Sequence, residues 1–454
     1  MISTLRIGLS RWLTWSERSA NRRIFAAIIT VGGLTFVVKL AAVAKEVAVA
    51  HQFGTEDVLD AFLIAFLLPS FAINVVAGSF NAALIPTFIQ VREHEGREVA
   101  QRLFSSVMVW STVLLVAVSA FLALTASHVL PILGSGFVVD KLALTRSLFY
   151  VLLPALLISG LVTIWAAILN AGERFALAAI APIMTPIVTV VALLALGRVW
   201  GIYALAIGMV GGFMLEAALL AWGLKQRGFS LVPRWHGMTP YVSQVMNQYA
   251  PMVAGAFLMG STTLVDQSMA AMLGSGSVSA LSYGNKIVAF VLGVGSLALS
   301  TAVFPHFSRM VAVRDWRSIR HILKSYARLI LLVSLPMTVL FVYFSEPLVR
   351  VIFERGAFTE AATHKVGEVQ AMYVLQIAFY LLGILFVRLI SAMKGNRILM
   401  CSAMVSLPLN VGLNYVLMKY MGVSGIALST TLVYAFSLAF LSVMSYRMMR
   451  RLIN

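Results

Sequence analysis

The chain has 454 residues, 60% of them hydrophobic and 11% charged, with a mean hydropathy of +0.93; soluble domains average about 45–50% apolar, so lipid rather than water is the expected solvent. A formal net charge of +17 would suit nucleic-acid binding in a soluble chain, but the Lys and Arg residues fall mainly in alternate loops, the positive-inside pattern, so no nucleic-acid partner is expected. Cys401 is the only cysteine and the seven His are scattered, which excludes an intramolecular disulfide and points to no metal centre.

Residues 1–23 place Arg6, Arg11, Arg18, Arg22 and Arg23 around Leu5, Ile7, Leu9, Trp12, Leu13 and Trp15, without the short apolar core and cleavage site of a signal peptide. An uncleaved cytoplasmic segment lying at the membrane interface is expected. Apolar stretches of about 18 residues or more then recur, each enough to cross a hydrocarbon core about 30 Å thick. They predict twelve transmembrane helices, over 24–50, 57–88, 103–127, 146–169, 176–197, 201–223, 246–273, 278–304, 326–347, 367–393, 398–418 and 424–446.

The connections support an even count. Basic residues gather in every second one: Arg92, Arg97 and Arg102; Lys225, Arg227 and Arg234; Arg309, Arg314, Arg317, Arg320, Lys324 and Arg328; Lys394 and Arg397; and the tail residues Arg447, Arg450 and Arg451. The intervening loops are poor in charge or acidic, so both termini are placed in the cytoplasm of a bacterial inner membrane. The mixed-charge stretch 345–370 falls on the outer side, where an ordered element is expected.

The two halves echo each other. Ala83-Leu84-Ile85-Pro86-Thr87-Phe88 ends the second span and Ala302-Val303-Phe304-Pro305-His306-Phe307 the eighth, each just before a basic loop. Asn170-Ala171-Gly172-Glu173-Arg174 echoes Lys394-Gly395-Asn396-Arg397, with Pro186 and Pro408 following. With six spans in each, the copies share orientation and are related by a pseudo-two-fold axis along the membrane normal. The fold class is therefore all-α: a polytopic membrane protein with an N-lobe over 24–224, a cytoplasmic linker over 225–245 and a C-lobe over 246–454. Such repeats rock about a central site, which points to a transporter.

A charge at mid-bilayer costs at least about 2.5–3.5 kcal/mol on insertion scales, so charges within spans imply a polar interior or close pairing. They comprise Lys39, Lys45 and Glu46 on the first span, Asp60 on the second, Glu216 on the sixth, Asp266 on the seventh, Lys286 on the eighth and Arg388 on the tenth, with Asn74, Asn81 and Asn285 beside them. Lys39 and Glu46 share a helix face two turns apart; Lys45 points elsewhere. These groups either pair within the bundle, or snorkel at its ends, or face a ligand; deep cations without equal deep acids suit an anion such as a diphosphate. Glycines within the spans permit close helix packing, and Pro69, Pro86, Pro251 and Pro305 are either packed within helices or hinges. No phosphate-binding loop, nucleophile elbow or zinc-ligand spacing is present in the sequence. The expectation is a transporter rather than an enzyme, without a cofactor, driven by the membrane potential, worth about 2.3 kcal/mol per charge per 100 mV, or by an ion gradient.

In order and spacing, several stretches resemble the MviN/MurJ family of lipid II flippases, within the superfamily of multidrug, oligosaccharidyl-lipid and polysaccharide exporters. They are Val49-Ala50-His51-Gln52-Phe53-Gly54, Leu59-Asp60-Ala61-Phe62, Ala65-Phe66-Leu67-Leu68-Pro69, Gly78-Ser79-Phe80 through Pro86, Gly274-Ser275-Gly276-Ser277-Val278-Ser279 with Tyr283 and Lys286, Phe304-Pro305, and Phe353-Glu354-Arg355-Gly356-Ala357-Phe358-Thr359. The resemblance implies a basic cavity between two lobes that holds the diphosphate of an undecaprenyl-linked saccharide, with Lys39, Lys45 and Lys286 as diphosphate contacts and Asp60 retained from the family. Glu46, Asp266 and Arg388 join Asp60 as gate or ion-pairing residues. Membrane lipids and glycan-assembly enzymes are the expected partners. The chain departs from the family pattern at Leu67, Ile73 and Gly78, where a lysine, an arginine and an acid are expected, and in reading as twelve spans where members usually have two more. A polysaccharide repeat unit therefore stands beside lipid II as cargo. A cation-coupled drug exporter and a non-transporting scaffold of a glycan-assembly complex are the alternatives. The 355–359 segment is either substrate-facing or a turn in which Gly356 supplies a positive φ.

Overall fold

The computed structural model describes the main chain of residues 20–172 and 175–453, and the side chains of these except 20–29, 82, 301 and 453. Most of the interfacial segment expected over 1–23 thus lies outside the described residues, as do Glu173 and Arg174. No strand occurs among the described residues. The membrane helices are α1 (Ala20–Phe53), α2 (Asp57–His94), α3 (Arg97–Leu133), α4 (Val139–Ala171), α5 (Phe175–Trp200), α6 (Ile202–Gln226), α7 (Pro240–Ala271), α8 (Ser277–Ala312) and α9 (Trp316–Tyr343). A short α10 (Ser345–Phe353) leads into α11 (Glu360–Ala392), α12 (Asn396–Met421) and α13 (Val423–Ile453).

Ten of these helices are long and apolar enough to cross a membrane among the described residues. The expected spans not in that set are α1 and α7, with 34 and 32 residues. Each opens one half of the chain. Each is diluted by polar groups: Lys39, Lys45 and Glu46 in α1, Asn247, Asp266 and Gln267 in α7. The 345–370 stretch is ordered as expected, folding into α10 and the start of α11. α11 therefore begins seven residues before the span read at 367, and it is interrupted at Leu375.

Proline breaks the regular pattern at few places. Pro69 precedes a π turn at Ile73–Ala77 that interrupts α2, and Pro182 lies in a 3-10 turn at Ala181–Ile183 that interrupts α5. Pro86, Pro251 and Pro305 sit inside unbroken helix. The repeat is visible in the backbone. Gly201, between α5 and α6, has φ 52 and ψ −129, and Gly422, between α12 and α13, has φ 58 and ψ −134. That region is open to glycine almost alone, so both halves close their last helical hairpin with the same strained residue.

The chain divides into two compact units: residues 1–49, 72–123 and 150–253, and residues 50–71, 124–149 and 254–454. In the first, Phe80, Phe88, Phe104, Leu115, Ile164 and Leu220 are fully buried. Tyr249 stacks on Phe80 at 4.1 Å, and its hydroxyl donates to the Val76 carbonyl in the π turn at 3.3 Å. Gly208 and Gly212 let α6 lie against Thr189 and Thr185 of α5, where an added Cβ would clash. The linker after α6 is tied along α3, with the Arg234 N–H donating to Ser105 Oγ at 2.8 Å and the His236 N–H to Ser106 Oγ at 3.2 Å. In the second unit, Ile64, Leu281, Phe307, Ile319, Leu385 and Leu389 form the core. This unit joins the second half of the chain to the 50–71 and 124–149 segments of the first.

Candidate functional site

The fully buried Asp60 lies one turn into α2. Its Oδ1 accepts the Ser279 N–H at 2.8 Å; its Oδ2 accepts the Gly276 N–H at 2.8 Å and the Lys141 ammonium at 3.0 Å. One carboxylate thus satisfies otherwise unpaired donors at the start of α8, complements the positive end of its dipole and neutralises a buried lysine. Lys141 also reaches Asp57 at 2.5 Å and lies 4.0 Å from the centroid of the Phe137 ring. Lys365, from α11, donates to the Ser275 carbonyl and Ser277 Oγ, both at 3.2 Å.

Asp60 and Ser279 are 219 positions apart, the same offset that relates Pro86 to Pro305. Each therefore meets its own repeat counterpart, which places the contact on the axis relating the copies. Backbone contacts extend the seam: the Ala357 N–H donates to the His51 carbonyl at 2.8 Å. Gly276 (φ +72) abuts the Thr55 carbonyl, and Gly356 (φ +63) abuts the His51 carbonyl, so closely that a Cβ on either would overlap that oxygen. The 355–359 segment is thus a turn docked on the end of α1, with Phe358 buried against Tyr283.

Asp266 is satisfied differently. Its Oδ1 accepts the amides of Asn410 and Asn414, at 3.0 and 2.7 Å, and its Oδ2 accepts the Thr430 hydroxyl at 3.2 Å. Every one of these donors is neutral. They come from α12 and α13, beside a polar cavity of about 280 Å³ lined by Asp266, Gln267, Asn285, Gln376, Tyr373 and Thr430, among others. A second, mostly apolar cavity of about 230 Å³ shares Thr262, Thr430 and Tyr434 with it and is also lined by Asn410.

Lys39, Lys45 and Glu46 belong to the first unit; Asp60, Asp266, Lys286 and Arg388 belong to the second. Lys45 pairs with the adjacent Glu46 at 2.8 Å, so its charge is compensated. Lys39 is exposed and forms no ion pair among the described residues. Lys286 is half-buried next to Asn285, and the Arg388 Nε donates to Ser300 Oγ at 3.0 Å. Of these acids, Glu46 pairs with a predicted cation, Lys45, whereas the bonds of Asp60 and Asp266 described above run to Lys141, to backbone N–H groups and to neutral side chains.

Three participants escaped sequence reading. Lys141 is a cation on the side where the loop pattern expects few, and that exception was its signal. Asn410 and Asn414 are spaced i,i+4 within an apolar span, a polar pair on one face. Glu216 stood out as an intramembrane acid, but its partner, the Thr185 hydroxyl at 3.2 Å, carries no charge.

The family model described as "Lipid II flippase MurJ" matches residues 49–453. The chain belongs to the MurJ family. That match takes in α2 through α13, so the departures at Leu67, Ile73 and Gly78 occur within a MurJ sequence. Among relatives, a probable lipid II flippase MurJ of Rhizobium meliloti (strain 1021) is 28% identical over 408 residues, covering 88% of this chain and 76% of that protein. A lipid II flippase MurJ of Burkholderia cenocepacia is 25% identical, covering 81% and 72%. Among solved structures, the fold is similar to a lipid II flippase MurJ in an inward closed conformation, with a TM-score of 0.80 at 21% identity, covering 92% of this chain and 87% of that one. It is also similar to an inward-facing multidrug resistance MATE family transporter, with a TM-score of 0.75 at 13% identity, covering 93% and 98%. MurJ proteins are transporters of the membrane, not enzymes, and the all-helical polytopic fold of this chain is theirs.

Proposed function

We propose that this chain is a flippase that moves an undecaprenyl-diphosphate-linked saccharide, lipid II or a related polysaccharide repeat unit, from the cytoplasmic to the periplasmic leaflet of the bacterial inner membrane. The observation that carries the anionic cargo is the separate satisfaction of the buried acids. Asp60 is held by Lys141 and two backbone N–H groups, and Asp266 by neutral donors, so neither neutralises Lys39. An exposed ammonium on a membrane helix, with no ion pair of its own, suits a diphosphate.

In this reading Lys39 and Lys286 contact the diphosphate, and Lys45 joins them by exchanging Glu46 for a phosphate oxygen. Lobes over 24–224 and 246–454, joined by the 225–245 linker, alternate in access. The Asp60 seam closes one end and must part for release there: the two N–H groups at the start of α8 and Lys141 then exchange the carboxylate for water or cargo. Membrane potential or an ion gradient supplies the drive, and both termini stay cytoplasmic. Depleting the protein and identifying the accumulated lipid-linked intermediate by mass spectrometry tests the reading and names the saccharide. Absence of any such intermediate at full depletion contradicts it.

A further inference from the structure

Several arginines elsewhere on this protein keep acids beside them. Arg350 is bridged by Glu346, Glu354 and Glu360, Arg102 by Glu98 and Arg92 by Glu93. The start of α9 gathers cations without them. Arg309, Arg314, Arg317, Arg320, Lys324 and Arg328, with His321, are all exposed, and none forms a salt bridge or side-chain hydrogen bond among the described residues. Over 309–328 the single acid is Asp315. Its carboxylate accepts the Ser318 N–H at 3.0 Å as the cap of α9. The Ser318 side chain first, its N–H next, and the nearby Arg317 after them hold the Asp315 carboxyl below the usual range.

The spacing is ordered. At 3.6 residues per turn, Arg317, Arg320, His321, Lys324 and Arg328 fall within an arc of about 100° and extend about 16 Å along the helix. The opposite face is anchored: Ile319 is fully buried, and Trp316, Ile322, Leu323 and Tyr326 pack on the core of the same unit. The stripe is therefore held outward by packing rather than by charge. It runs directly into the apolar remainder of α9, which is long and apolar enough to cross a membrane.

We propose that this stripe is a binding site for anionic phospholipid headgroups, which supply the counter-charge that the chain omits. Phosphates at the edge of a bilayer lie where a basic stripe enters a membrane helix, and juxtamembrane Lys and Arg residues are attracted to them. The site is distinct from the diphosphate contacts proposed above, and its test does not read transport.

Native mass spectrometry of the purified full chain with added phosphatidylglycerol or phosphatidylcholine counts bound lipids directly. The triple variant R317Q/R320Q/K324Q is compared with R447Q/R450Q/R451Q, which removes the same charge from the C-terminal tail. The stripe variant is expected to bind phosphatidylglycerol at least about ten-fold more weakly than the unaltered chain, the tail variant to change little, and phosphatidylcholine to be indifferent to both. Equal losses in the two variants would show a net-charge effect and overturn the site, as would unchanged phosphatidylglycerol binding in the stripe variant. Displacement by equimolar undecaprenyl diphosphate, with no preference for phosphatidylglycerol over phosphatidylcholine, would reassign the stripe to the cargo.

Discussion

Asp60 and Asp266 are both buried acids within the same compact unit, yet they are solvated in opposite ways. Asp60 receives a full positive charge and the dipole end of α8; Asp266 receives two carboxamides and a hydroxyl. A carboxylate bound to a cation and two helix N–H groups is a strong structural tie, because removing it strands a buried lysine. A carboxylate held by neutral donors leaves nothing charged behind when it is replaced. The first is built to hold a seam and the second to sit beside a cavity.

The comparison breaks most visibly at Asp60. Asp60→Ala should cost about 3–5 kcal/mol, the range for removing one partner of a buried ion pair, read as a lowered unfolding midpoint of the purified protein. A cost below that of an ordinary surface substitution would mean the seam is not a structural tie. Next comes Gly276→Ala, which combines a positive φ with overlap on the Thr55 carbonyl. Strain alone is worth about 1–3 kcal/mol. Gly274→Ala, also at a positive φ (+93) but with open space around it, measures that part without the clash. Gly276→Ala should therefore be the more damaging of the two, and equal losses would remove the clash from the account.

Asp266→Asn keeps one acceptor oxygen for the amides of Asn410 and Asn414, so its loss should be only about 1–2 kcal/mol, measured by the same unfolding midpoint. A loss matching Asp60→Ala would erase the contrast between the two acids. The smallest effect is expected at Thr359, whose hydroxyl accepts the Ala362 N–H at 3.3 Å at the start of α11. Thr359→Ala should cost about 1 kcal/mol and should loosen the docked 355–359 turn, which limited proteolysis would report.

Ten of the twelve expected membrane helices were legible because apolar length is a property of sequence alone, and the Pro86 and Pro305 echo already held the repeat offset that brings Asp60 to Ser279. What was not legible were the partners. Lys141 lies 81 positions from Asp60 and Asn414 lies 148 from Asp266, and nothing local in a sequence joins residues so far apart. Intramembrane acids could be flagged by cost, but whether a cation or an amide answers them is decided by packing. Lys45 shows the converse: its partner Glu46 is the adjacent residue, although helix periodicity sets the two about 100° apart around α1.

The central claim is that lysines on the membrane helices hold an anionic lipid-linked cargo. Its most direct test is the appearance of lipid-linked saccharide on the far leaflet of proteoliposomes containing Lys39→Ala together with Lys286→Ala, at matched protein levels. Each lost charge-assisted contact is expected to weaken cargo binding by about 1.5–3 kcal/mol, so translocation should fall to background at limiting cargo while the unaltered chain remains active. Translocation by the double variant at the rate of the unaltered chain would contradict the account.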